Sequence, residues 1–198
     1  MRKTLLFLFI FFGLIFIHNS VQAVSFAPGD LGINIGTQLD PGYEPSGVVW
    51  HNRLQSLFVV WDNGYVTQMD LNGNILHPSV FVGGDLEGIT LVNDQSNYIY
   101  LLVEYPQKIV EFDIFTWTKT GKTWELQGMP GNSASGAEAL TYNSDKGLFY
   151  VGSQFNGQIY VYNIDLSASG RPANSRIIQT GINYDLAGLH YSSETKRT

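Results

Sequence analysis

The sequence contains no cysteine, which removes disulfides, thiolate nucleophiles, cysteine zinc sites and iron–sulfur clusters in one step. Charge is scarce as well. Only 14% of the 198 residues are Asp, Glu, Lys or Arg, too few for a disordered tail or a long coiled coil. Basic residues are the scarcest, with 11 Lys+Arg against 17 Asp+Glu and a net charge of −6. Phosphate binding needs a basic patch, so nucleic acid is not expected as a partner. Catalytic signatures are missing too. Gly131-Asn132-Ser133-Ala134-Ser135-Gly136 misses a G-x-S-x-G elbow by one residue, and no H-E-x-x-H occurs. His51, His77 and His190 are scattered and read as surface or loop residues rather than ligands. Asp70-Leu71-Asn72-Gly73-Asn74 starts like a calcium-binding EF-hand loop, but its glycine comes too early and no Glu closes it, so it reads as a hairpin turn. Gly83-Gly84 opens no helix and is not a phosphate cradle.

What is present begins with a leader. Met1-Arg2-Lys3-Thr4 precedes an apolar run of 13 residues from Leu5 to Ile17, and a polar stretch closes on Val21-Gln22-Ala23. A charged start, a short apolar centre and small residues at the −3 and −1 positions form a secretory signal, cleaved after Ala23. Thirteen residues fall short of the roughly 20 that span a bilayer as a helix; an uncleaved anchor is the alternative, and with it membrane association. The mature chain, residues 24–198, would have 175 residues and a net charge of −8. Its expected location is outside the cytoplasm, in the periplasm or at the cell envelope and inner membrane.

The mature chain repeats. Glu44-Pro45-Ser46-Gly47-Val48, Asp85-Leu86-Glu87-Gly88-Ile89, Gly136-Ala137-Glu138-Ala139-Leu140 and Asp185-Leu186-Ala187-Gly188-Leu189 align on a small residue followed by an apolar one. The steps between the anchors Gly47, Gly88, Ala139 and Gly188 are 41, 51 and 49 residues, a spacing typical of propeller blades. Strand-like runs follow each anchor. The first unit carries Leu57–Asp62, an Asn63-Gly64 turn, Tyr65–Leu71, an Asn72-Gly73 turn and Asn74–Leu76. The second has Tyr98–Glu104, Lys108–Ile114 and Lys122–Leu126, and the third Leu148–Gln154 and Gln158–Leu166. Such strands joined by Asn-Gly turns are antiparallel hairpins. The expected fold is therefore all-β, a propeller of four-stranded antiparallel blades whose innermost strands need small residues to crowd around an axis. A β-sandwich or open meander uses similar strands and turns. Trp50, Trp61, Trp117 and Trp124 are expected between blades, Trp61 also standing beside Asp62. About three and a half blades fit, the last being an opening strand at Asp185–Tyr191. Closed propellers take four to eight blades, so the chain is expected to be a fragment or a half-ring that dimerises.

Strand direction places the acids. If each innermost strand runs down from its anchor and the second returns, the lead-in residues Glu44, Asp85, Glu87, Glu138 and Asp185 share one face with Asp62 and Glu104 at the ends of second strands. Like charges brought that close raise one another's pKa or require a cation. Hard oxygen donors suit calcium, which takes six to eight of them in loose geometry. The candidate metal ligands are thus Glu44, Asp85, Glu87 and Glu138, with Asp62, Glu104 and Asp185 beside them; capping of backbone N–H groups by the same acids is the alternative.

Glu44-Pro45-Ser46-Gly47, Asp85-Leu86-Glu87-Gly88-Ile89-Thr90, Tyr100-Leu101-Leu102-Val103-Glu104, Glu138-Ala139-Leu140-Thr141-Tyr142 and Tyr150-Val151-Gly152-Ser153-Gln154 resemble successive blade motifs of the SdiA-regulated, YjiK/CarP-like β-propellers. The resemblance spans about residues 40–191. It implies a six-bladed parent, export or inner-membrane association and a link to calcium response, with remote likeness to phytase-like and esterase-like propellers and no established catalytic residues. Ala187 stands where the second and third units carry glutamate. Two functions follow as expectations. One is a calcium-responsive binding or scaffold propeller whose partners are the calcium ion and a small molecule or protein. The alternative is a calcium-dependent phytase-like or esterase/lactonase-like hydrolase, for which only Lys108 and Arg53 offer positive charge near the acids. A metal-free interaction scaffold is a third reading.

Overall fold

The computed structural model describes Leu39, Gly42 and residues 44–183 and 186–193, all within the compact unit Ile33–Thr198. The expected signal at residues 1–23 and the candidate ligand Asp185 lie outside the described residues.

Three four-stranded antiparallel sheets follow one another along the chain. The first comprises β1 (Pro45–His51), β2 (Ser56–Trp61), β3 (Tyr65–Met69) and β4 (Ile75–Phe81), paired in that order. The second holds β5 (Leu86–Thr90), β6 (Tyr98–Val103), β7 (Lys108–Asp113) and β8 (Thr118–Glu125). The third holds β9 (Ala137–Asn143), β10 (Leu148–Ser153), β11 (Ile159–Tyr162) and β12 (Asn174–Ile178). Each is a meander, so the fold is an all-β array of propeller blades; among the described residues the sheets do not close into a ring. No helix among the described residues is long and apolar enough to cross a membrane.

Alternation along β6 shows how blades are held together. Ile99, Leu101 and Val103 point to the first blade, where they pack with Phe58, Val60 and Val66. Tyr100 and Leu102 point the other way, into a cluster with Leu140, Phe149, Val151 and Tyr162 of the third blade. Successive residues of a strand face opposite sides, so a strand covered on both faces reads as the unbroken apolar run seen from Tyr98 to Val103. Small anchors set the spacing. A Cβ on Gly47 would lie 3.2 Å from the Gly88 Cα, and one on Gly88 would lie 2.8 Å from the Leu140 Cβ.

Several local expectations are revised. The turn after β2 is a three-residue loop, Asp62 to Gly64, closed by a Gly64 N–H bond to the Trp61 carbonyl at 2.9 Å, with Gly64 at φ 84°. The left-handed conformation and the Gly84 carbonyl 2.6 Å from where a Cβ would stand both require glycine there. The third-unit strand expected to reach Leu166 ends at Tyr162. The chain then crosses to β8, where the buried Trp124 indole N–H finds acceptors in the Asp165 and Ala168 carbonyls at 3.0 and 2.8 Å. Only afterwards does β12 form, a mostly exposed strand that carries no apolar alternation. Residues 186–191, expected as the opening strand of a fourth unit, form no strand. A strand needs a neighbour for its N–H and C=O groups, and the described residues include no second strand for this unit; Tyr191 N–H bonds the Thr141 hydroxyl instead, at 2.9 Å. His51, expected at the surface, is fully buried against Phe58, its Nε2 3.3 Å from the Ser96 carbonyl oxygen. The β1–β2 turn tucks against the β5–β6 turn of the next blade, and Arg53 there donates to Asn97 Oδ1 at 2.8 Å. That end of the strands is remote from the lead-ins, so Arg53 does not share their face.

Candidate metal centre

One irregularity recurs at the start of every blade. In the first, Pro45 pairs with Trp61 but Gly47 pairs with Val60, leaving Ser46 as an extra residue. In the second, Leu86 pairs with Val103 and Gly88 with Leu102, leaving Glu87. In the third, Ala137 pairs with Ser153 and Ala139 with Gly152, leaving Glu138. A bulge frees one side chain from the regular alternation and re-aims it. Immediately before each bulge the backbone repeats as well, with Asp62, Glu104 and Gln154 N–H groups bonding the carbonyls of Glu44, Asp85 and Gly136 at 3.4, 2.9 and 3.1 Å. The ends of β2, β6 and β10 are thus tied to the lead-ins, and their side chains converge with the bulged ones.

The convergence forms an open cavity of about 570 Å³ whose walls include Glu44, Asp62, Asp85, Glu87, Glu104 and Glu138. These are the candidate ligands that fall among the described residues, brought to one place. They are not equivalent. Oxygens of Asp62, Asp85 and Glu87 lie within 4.8 Å of one another; Glu44 is exposed at the rim, and Glu104 is only 6% exposed. No Lys or Arg lines the cavity among the described residues.

Electrostatics follow from that crowding. Burial, then the charge of Glu138, a hydrogen bond with Asp85 and the charge of Asp62 push the Glu87 carboxyl up to about 8. Glu104 is also raised, by burial and by Asp85, against the lowering effect of the Gly136 N–H. Asp85 Oδ1 is buried with no N–H or hydroxyl to meet it among the described residues. Asp85 raises both Glu87 and Glu104, and carboxylates crowded in this way call for a proton between oxygens or a cation in its place.

Two participants are not among the candidate ligands. Ser46 donates its hydroxyl to Asp62, and the Gln154 amide oxygen is buried in the cavity wall with no donor among the described residues. Both were legible in the repeat: Ser46 aligns with Glu87, and Gln154 with Asp62 and Glu104. A second cavity of about 560 Å³ shares Ser46, Glu87, Glu138 and Ala187 with the first and continues along the small and aliphatic residues of the innermost strands.

The sequence model of the SdiA-regulated family matches residues 35–198. No curated protein matches the chain. Among solved structures, hydrazine synthase of Kuenenia stuttgartiensis is similar with a TM-score of 0.54 and 18% identity, over 76% of this chain and 39% of that one. U3-55K is similar with a TM-score of 0.48 and 10% identity, over 70% of this chain and 40% of that one. The chain spans about two fifths of the length of both structures. The first likeness is one of fold alone, and the second is too low to argue from.

Proposed function

The chain belongs to the SdiA-regulated family, and we propose that it is an exported, calcium-responsive binding propeller of the cell envelope whose acidic mouth holds the ion. One observation carries this reading. Three carboxylate side chains, Asp62, Asp85 and Glu87, bring oxygens within 4.8 Å of one another, and the buried Oδ1 of Asp85 has no hydrogen-bond donor among the described residues. Calcium, with ligand distances of about 2.3–2.6 Å and tolerance for irregular shells, spans such a spread. The donor set is all oxygen, with the Gln154 amide and the Glu138 carboxylate in the same wall, which disfavours zinc and copper. Export rests on the leader Met1–Ala23. The ion would dock a small molecule or protein at the mouth.

The test is binding of terbium as a calcium mimic. Trp61 adjoins Asp62 in the chain and supplies an indole to sensitise its luminescence. Sensitised emission that calcium competes away, together with a melting temperature raised by calcium and lowered by chelator, is the expected result. A transition indifferent to both would retire the metal.

Glu87 favours a second reading. A carboxyl that carries its proton near neutrality beside two others is placed for general acid–base work with a bound cation, as in a calcium-dependent ester or lactone hydrolase. The lack of basic side chains in the cavity wall weighs against phosphoesters such as phytate. Calcium-dependent release of nitrophenol from a nitrophenyl ester would support this reading, and its absence would leave the binding protein.

A further inference from the structure

We propose that Glu104 is a positioning residue rather than a metal ligand: it is a strut that fixes the lead-in of the third blade and thereby aims Glu138 into the acidic cavity. The inference rests on the cation-binding reading of that cavity. Glu104 follows β6 and is 6% exposed. Its Oε1 accepts the Gly136 N–H at 3.0 Å, and its backbone carbonyl accepts the Ala137 N–H at 3.2 Å. Both halves of one residue therefore grip the two residues that immediately precede the bulged Glu138. Gly136 makes this approach possible, since a Cβ there would lie 2.3 Å from the Glu104 carbonyl oxygen. Its own N–H bonds the Asp85 carbonyl, in the lead-in of the second blade, at 2.9 Å. One residue thus spans the lead-ins of two neighbouring blades.

The equivalent positions in the other blades differ. Asp62 takes the Ser46 hydroxyl of its own blade and contributes an oxygen to the close group with Asp85 and Glu87. Glu104 is outside that group. Glutamine keeps a side-chain oxygen that accepts the Gly136 N–H and carries no charge. Gln154 occupies the equivalent place in the third blade.

The test compares Glu104→Gln with Glu104→Ala in the full chain through two readouts. Amide exchange at Gly136, measured with chelator present, reads the strut without any ion. Protection unchanged in the glutamine variant and reduced about 10-fold or more in the alanine variant is expected. Terbium affinity reads the consequence: within about threefold of the parent for glutamine, and about 10–100-fold weaker for alanine, the scale at which partners behind a metal's ligands act. Equal loss of affinity in both variants, with Gly136 still protected in the glutamine one, would make Glu104 a ligand and overturn the proposal. So would undiminished Gly136 protection in Glu104→Ala. If the alanine variant does not fold, the glutamine variant decides alone, retained affinity supporting the strut and a loss beyond about 10-fold overturning it. A parent chain that binds no terbium refutes the cation reading, and the positioning role with it, while the Gly136 exchange still shows separately whether the strut exists.

Discussion

Lys122 Nζ lies 2.9 Å from Glu111 Oε1 in its own blade and 2.9 Å from the Leu166 carbonyl oxygen in the next. Glu111 is 1% exposed, and its other oxygen takes the Tyr100 hydroxyl at 3.0 Å. A buried carboxylate is costly unless paired, so this lysine both neutralises the second blade's interior and reaches across to the third.

Removing the lysine alone is therefore expected to cost more than removing both charges. Lys122→Met should destabilise by about 3 kcal/mol, at the low end for breaking a buried pair because a third of the lysine side chain is in solvent. The double variant Glu111→Gln/Lys122→Met should recover much of that loss. Urea denaturation of the single and double variants checks it; equal losses would mean that the pair contributes nothing as a pair.

Anchor glycines should differ sharply in their tolerance of a methyl group. Gly88→Ala drives a Cβ to 2.8 Å from the Leu140 Cβ and 3.0 Å from its backbone nitrogen, an overpacking expected to cost about 1–3 kcal/mol. Gly188→Ala meets nothing within 4 Å among the described residues and should be close to neutral. Melting temperatures of the two variants decide, and a Gly88→Ala protein as stable as its parent would contradict the crowding of innermost strands.

Stability without calcium should fall as pH rises through the window set by Glu87. The carboxyl titrates near 4.5 ordinarily and at about 8 in the folded chain. Between those values the native state holds a proton that the unfolded chain has released, so its contribution is full below 4.5 and lost as pH rises through 8. Glu87→Gln, neutral throughout, should show a flatter profile over the same range in chelator. Identical slopes for the two proteins would show that the crowding does not perturb Glu87.

Candidate ligands should rank by position rather than by charge. Asp85→Asn removes a charge from the close group, and terbium affinity is expected to fall at least about 10-fold. Glu44→Gln, at the exposed rim, should change affinity by about threefold or less, as screened surface charges do. Equal effects would indicate diffuse attraction to an acidic surface instead of a built site.

The repeat was legible before any coordinates because blade geometry imposes itself locally. A small residue is needed where innermost strands touch, an apolar run where a strand is covered on both sides, and Gly64 where the chain turns with positive φ. Those demands recur once per blade, so the anchors Gly47, Gly88 and Ala139 mark β1, β5 and β9 from sequence alone. Strand direction then followed from antiparallel pairing, which is why Glu44, Asp62, Asp85, Glu87, Glu104 and Glu138 could be assigned to one face, and they line one cavity. Tertiary structure decided what contacts between blades determine. The exposed β12 carries no apolar period, and Trp124 pulls residues 163–173 across to β8 before that strand begins. His51 is buried by a turn of the next blade, which no local pattern encodes. Above all, sequence makes Glu104 and Glu87 look alike. Only the bulge that aims Glu87 into the cavity, and the Gly136 amide that captures Glu104 from the neighbouring blade, give the two carboxyls different surroundings.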